Sequence, residues 1–250
     1  MSGSRVSPLT RDSGATVPPG ELSQFWPDRG FAGQIPQDLL KPFFRLGRTK
    51  NFTRGTAVPL AGDVVYLLLR GCVMEQGGAG NGLLRGSGEL LGDTDLYAPN
   101  SELYFARTIT SETTCVVITV PRLVHFMQQE PKISFALIWA LSRRVQSLGA
   151  RRAVDCLNSI GRTAWLLLEI SEALGTAENP AARLSGMSQE MMAASIGQSP
   201  AAVQNDLREL RYRGAIETGY RTVHIRDRKQ LERLVPPGGA TASRVGAAAV

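Results

Sequence analysis

The 250-residue sequence has no stretch of about 18 uncharged apolar residues, which argues against a membrane-spanning helix. Its first thirty residues lack the basic start and apolar run of a secretory signal. A cytoplasmic protein is therefore expected, with no membrane partner. Cysteine is scarce: Cys72, Cys115 and Cys156 are odd in number and far apart, which excludes a disulfide framework and predicts buried free thiols. An iron–sulfur cluster, which needs four thiolate ligands, is excluded as well. Histidine is scarcer still. His125 and His224 both lie outside the β-rich stretch from Phe52 to Val120, so an iron oxygenase with clustered histidines in a β-roll is not expected. Neither is a glycine-rich phosphate loop or a Ser/Cys/His triad present. The sequence predicts a protein that is not an enzyme, with no metal and no cofactor.

What is present divides the chain. Residues 1–30 are rich in Ser, Gly, Pro and Thr and read as a disordered arm; 236–250 read as a disordered tail. From about Phe52 to Val120, runs of Val, Ile, Thr, Tyr and Phe are broken by glycine, with Gly77–Gly82 as a hairpin tip. Such runs predict an antiparallel sandwich or barrel. Pro121 starts a short helix, and Pro131 a longer one in which Ile133, Leu137, Leu141, Val145 and Leu148 recur at helical spacing. That stripe serves equally well to face its own domain or to form a dimer seam. Asn158 or Ser159 caps the next helix, which Gly175 and Asn179-Pro180 end. The net charge is +6, and Arg208, Arg211, Arg213, Arg221, Arg226, Arg228, Lys229 and Arg233 crowd the C-terminal part. A polyanion would find its counter-charge there.

The stretch MSQEMMAASIGQSPAAVQNDLREL, residues 187–210, resolves this further. Ser188 is an N-cap, Met192, Ala193 and Ile196 form an inner face, and Gly197 supplies a turn. Ser199 caps a second helix whose first residue is Pro200, favoured there because its missing N–H would have had no intrahelical partner. Val203, Leu207 and Leu210 form the buried edge of that helix. Two short helices joined by a glycine-containing turn, with small Ala193 at their crossing, are a helix-turn-helix signature. Thr222, Val223, His224 and Ile225 then suggest one strand of a hairpin wing, followed by a short helix.

The order of β-roll, long helix and winged helix-turn-helix resembles the CRP/FNR family of bacterial transcription regulators. The likeness spans about residues 35–235 and includes VVYLLLRGCV and GSGELLGD in the roll. It implies an α+β fold: an antiparallel β-roll (double-stranded β-helix) over 31–130 as cyclic-nucleotide-binding-like effector domain, a dimerisation helix over 131–157, and a winged helix-turn-helix DNA-binding domain over 158–235. It also implies a homodimer on a double-stranded DNA operator, with RNA polymerase as a further candidate partner. Gln204 and Asn205 are the expected base readers, since an amide can pair bidentately with adenine. Arg208 is placed to reach guanine or phosphate; Ser188, Gln189 and Ser199 suit phosphates at helix starts, and Tyr220, Arg221 and Thr222 do so in the wing. Many relatives carry an Arg-Glu pair and a later Arg where this chain has Pro200, Ala201 and Asn205, so a different operator is expected.

In relatives that bind cyclic nucleotides, an acid after the second Gly of GSGELLGD holds the ribose, and an Arg-Ser or Arg-Thr pair holds the phosphate. Gly92 and Asp93 occupy the first position, but Phe105 and Ala106 occupy the second. Standard cyclic AMP binding is therefore expected to be lost. The alternative is a cyclic-nucleotide-responsive regulator that uses Asp93 with the displaced pair Arg107-Thr108, Phe105 and Arg107 sharing one strand face. A second alternative is a ligand sensor acting through protein contacts.

Overall fold

A computed structural model describes residues 27–60, 63–76, 82–93, 96, 105–174, 183–220 and 222–235. Residues 1–26 of the expected arm, the expected tail, residues 77–81 of the hairpin tip and Arg221 lie outside the described residues.

Two 3-10 turns, Ala32–Gln34 and Gln37–Leu39, lead into α1 (Leu40–Phe44). The Phe43 ring lies 5.5 Å from that of Phe31 and 6.2 Å from that of Phe126. These rings close one end of a core. Eight strands follow: β1 (Arg48–Thr53), β2 (Ala57–Pro59), β3 (Val64–Arg70), β4 (Val73–Gln76), β5 (Leu83–Arg85), β6 (Leu90–Leu91), β7 (Phe105–Thr108) and β8 (Glu112–Thr119). They form two antiparallel four-stranded sheets, ordered β1-β8-β3-β6 and β2-β7-β4-β5. Strand β3 reads as an unbroken apolar run because it is covered on both faces. Tyr66 and Leu68 meet Phe52, Val58, Val73, Ala106 and Cys115 in one cluster, while Val65, Leu67 and Leu69 meet the flanking helices in another.

Those flanking helices are α2 (Val120–Gln129) and α3 (Pro131–Val154), both with proline in the first turn. Ile133, Ala136 and Leu137 of α3 are buried on the roll. The sequence stripe changes character along the helix. Val145 and Leu148 are exposed, and Phe135 and Ile138 join them on an open apolar face. Ile133 and Leu137 of the stripe face their own domain, whereas Val145 and Leu148 are left open.

The C-terminal part comprises α4 (Ser159–Ala173), β9 (Arg183–Ser185), α5 (Gln189–Ser195), α6 (Pro200–Tyr212), β10 (Ile216–Gly219), β11 (Thr222–Ile225) and α7 (Arg228–Arg233). Asn158 caps α4 by accepting from the Gly161 N–H at 2.9 Å. Strand β9, which the sequence reading did not foresee, makes the wing sheet three-stranded, ordered β10-β11-β9. The core of this part is built on Trp165, Leu167, Val203, Leu207 and Leu210, and it includes Cys72, Met74 and Ile109 from the roll. The roll also touches α4 at Gly86, where a Cβ would lie 2.1 Å from the Ala173 carbonyl oxygen, so only glycine fits. Cys72 and Cys115 are buried thiols, as expected. Cys156 is exposed instead, because it falls in the turn that links α3 to α4. His125 is exposed on α2.

Candidate DNA-binding surface and effector pocket

Local chemistry sets the two helices of the helix-turn-helix. The Ser188 hydroxyl accepts from the Met191 N–H at 3.2 Å and starts α5. Gly197, at φ +62°, turns the chain in a conformation that L side chains rarely adopt, and the Gln198 N–H closes the turn onto the Ala193 carbonyl at 2.9 Å. The Ser199 hydroxyl then accepts from the Ala202 N–H at 3.2 Å, with Pro200 as the first residue of α6.

Helix α6 has two faces. Val203, Leu207 and Leu210 are buried against α4 and α5; Pro200, Ala201, Gln204, Asn205 and Arg208 are exposed on the other side. Arg208 donates to the Asn205 side-chain oxygen at 3.3 Å. Gln189 is exposed at the start of α5, while Ser188 is half-buried. In the wing, Tyr220 is exposed at the hairpin tip and Thr222 pairs with Gly219. Arg211 donates to the Thr218 hydroxyl at 3.3 Å, which ties α6 to the wing. The structure thus brings Ser199, Pro200, Ala201, Gln204, Asn205 and Arg208 onto one open face.

One residue that fixes this face escaped the sequence reading. Asp206 lies on the inner side of α6 and is buried, where it accepts from the Ser159 and Thr163 hydroxyls of α4, each at 2.7 Å. Gln198, in the turn, donates to the Ser159 carbonyl at 2.9 Å. An acid set three residues after Val203 on an otherwise apolar edge was the available signal.

In the roll, the expected effector residues do not converge. Asp93, just after Gly92, is buried. Alternation along β7 turns Ala106 and Thr108 inward, whereas Arg107 is exposed and donates to the Gly55 carbonyl at 2.9 Å. Thr108 spends its hydroxyl on the Thr53 carbonyl at 2.6 Å. Arg107 and Thr108 therefore point to opposite faces. Ala106 stands directly opposite Glu75 in the β4–β7 ladder. The residue that faces Ala106 across the ladder is thus an acid. The Phe105 backbone pairs with Pro59 on one side and Gln76 on the other.

Asp93 is already engaged. Arg144, from α3, places Nη1 2.8 Å from Asp93 Oδ1 and Nη2 3.1 Å from Glu75 Oε2. Arg85 adds contacts at 3.4 Å to Asp93 and 3.5 Å each to Glu75 and Glu89, and donates to the Leu90 carbonyl. Burial pushes the Arg85 guanidinium down, but Glu89, Asp93 and Glu75 together hold it above the ordinary arginine range. Among the described residues no group of His, Cys, Asp and Glu could hold a metal ion, and no helix is long and apolar enough to cross a membrane.

Comparison with known proteins agrees with this architecture. Residues 161–234 match the Crp-like helix-turn-helix domain. The chain is 28% identical over 193 residues, 73% of its length and 86% of the relative's, to the CRP-like cAMP-activated global transcriptional regulator of Mycobacterium tuberculosis H37Rv. The fold is similar to that of FixK2 from Bradyrhizobium japonicum, at TM-score 0.62 and 16% identity over 76% of this chain and 98% of that one. It is also similar to that of the c-di-GMP-responsive global regulator CLP of Xanthomonas campestris, at TM-score 0.60 and 19% identity over 76% and 99%. A β-roll, a long helix and a C-terminal winged helix-turn-helix in one chain, the last carrying a Crp-like helix-turn-helix domain over 161–234, give this protein the architecture of the CRP-like transcription regulators that it resembles.

Proposed function

We propose that this regulator reads its operator as a homodimer, through the exposed face of α6, and that its roll does not use the cyclic-phosphate chemistry of cAMP-activated relatives. The observation that carries the reading is the α6 face itself. Gln204 and Asn205 stand where a helix laid in the major groove meets base edges, and Arg208 stands one turn on. Ser188, Gln189, Ser199, Tyr220, Arg221 and Thr222 contribute phosphate contacts around them. With Pro200 and Ala201 at the tip of the helix, that tip offers small apolar surface, suited to a thymine methyl rather than to guanine.

Two-fold symmetric reading requires a dimer. The open face of α3, with Phe135, Ile138, Val145 and Leu148 at near-heptad spacing, supplies a seam of the coiled-coil kind. RNA polymerase is the further partner that a promoter-bound dimer would meet. For the roll, the inward Ala106 opposite Glu75, and an Asp93 already paired with Arg144, support loss of nucleotide binding.

Selection from a random duplex library tests the reading. Gln204→Ala and Asn205→Ala should each relax preference at specific base pairs, whereas Arg208→Ala should lower the salt slope by about one if it holds a phosphate. Unchanged base preference in both amide variants would sink the assignment. Calorimetry with cyclic AMP should show no heat of binding, and saturable binding would refute the claim for the roll.

A further inference from the structure

The stripe by which α3 faces the roll runs Ile133, Leu137, Leu141 and then Arg144. At its fourth step an aliphatic residue has given way to a guanidinium that reaches into the roll. The side chains it meets, Glu75 and Asp93, are 7% and 3% exposed, and Arg144 itself is 16% exposed. Each Nη group takes a different carboxylate, so the planar fork of an arginine is matched, not merely its charge. Arg85 alone would leave two buried carboxylates sharing one cation, with Glu89 drawing on the same cation from the rim. The place opened by removing Arg144 would therefore be a small, acid-lined cavity of guanidinium shape.

We propose that the interior of the roll is a guanidinium-binding site and that Arg144 is its built-in ligand, so that a residue of the chain itself fills the acid-lined place between Glu75 and Asp93. The chemical class that the site accepts is a compact planar cation, the inverse in sign of a cyclic nucleotide. The long helix is then held to the roll with no small molecule present. A free guanidino compound would compete with Arg144 only weakly, because the tethered group acts at a high effective concentration. The inference rests on the regulator reading only for its consequence at the operator. The binding claim itself is tested without DNA.

The experiment uses full-length Arg144→Ala. Its melting temperature is followed against guanidinium chloride from 0 to about 50 mM, with potassium chloride at matched ionic strength and wild type in parallel; for a site that binds at about 10 mM, 20 mM ligand should raise the variant's Tm by roughly 2 °C. Wild type, its site filled, should show no rise. Operator affinity of the variant should recover in parallel. An Arg144→Ala protein that melts as wild type does, or that responds to guanidinium no more than to potassium, overturns the proposal. Should Arg144→Ala fail to fold, a cycle of Arg144→Gln, Asp93→Asn and the double variant decides. The paired loss should be milder than the sum of the single losses by at least about tenfold in the folding equilibrium, and additivity overturns the proposal. Failure of wild type to bind any duplex would instead count against the proposed function and leave these melting results standing.

Discussion

Asp206→Ala removes the acceptor that fastens α6 to α4. Two hydroxyl donors lose a charged partner at 2.7 Å each. A hydrogen bond to a charged group contributes about 1.5–3 kcal/mol, which sets an upper bound of roughly 3–6 kcal/mol for the pair. The true figure is lower, for reasons visible in the structure. Ser159 is half-buried and can turn to water, and Thr163, fully buried, keeps a long contact to the Gln198 side-chain oxygen at 3.4 Å. Desolvation of the carboxylate in the wild type also offsets part of the gain. We expect a loss of roughly 2–4 kcal/mol, a large share of the 5–15 kcal/mol that holds a typical domain folded. Urea unfolding followed by circular dichroism should show the midpoint falling with an unchanged m-value. Asp206→Asn, which keeps one acceptor oxygen, should fall about half as far. Operator affinity should drop even where the protein remains folded, because Gln198 and Asp206 together set the angle at which α6 leaves the turn. A midpoint within about 0.5 kcal/mol of wild type would refute the reasoning, since it would mean that these bonds are replaced by water at no net loss.

Three other outcomes are expected. Val145→Glu, on the open face of α3, should shift the protein towards monomer in sedimentation and weaken operator binding more than about tenfold, since a dimer seam would bury the new charge. Gly86→Ala should lower stability by about 1–3 kcal/mol in thermal melts, because its Cβ has no room beside the Ala173 carbonyl. Glu169, half-buried on α4, carries a carboxyl that burial first, and then Glu89 and Glu172, push from 4.5 up to about 7 against the pull of Arg151. The folded protein holds this proton more tightly than the unfolded chain, so the stabilisation is complete below about pH 4.5 and is lost as pH rises through about 7. Glu169→Gln should flatten that fall and gain roughly 1–3 kcal/mol at pH 8, after allowance for solvent screening. A variant whose pH profile parallels wild type would refute it.

The C-terminal machinery was legible because its determinants are local. Ser188, Gly197, Ser199 and Pro200 each act on backbone groups within three or four residues, and the Val203-Leu207-Leu210 edge follows from helical period alone. Strand β9 was not legible: three residues carry no period, and it exists only by pairing with β11. The roll shows the same limit at its centre. Glu75, Arg85, Asp93 and Arg144 look in sequence like scattered surface charges, and Arg144 lies 69 residues from Glu75. Only the fold brings them together. Arg107 was misleading because a charged residue in a strand says nothing about which face it takes until the register is known.

The insertion of Cys72, Met74 and Ile109 into the core of the winged helix has a practical consequence for anyone dissecting this protein. A fragment cut at residue 158 would carry α6 intact but leave its core without Cys72, Met74 and Ile109, which belong to that core in the whole chain. Such a fragment would be sticky, and its melting would report the loss of its neighbour as much as its own sequence. The winged helix-turn-helix shares part of its core with the roll and is better regarded as built onto it than as a detachable module.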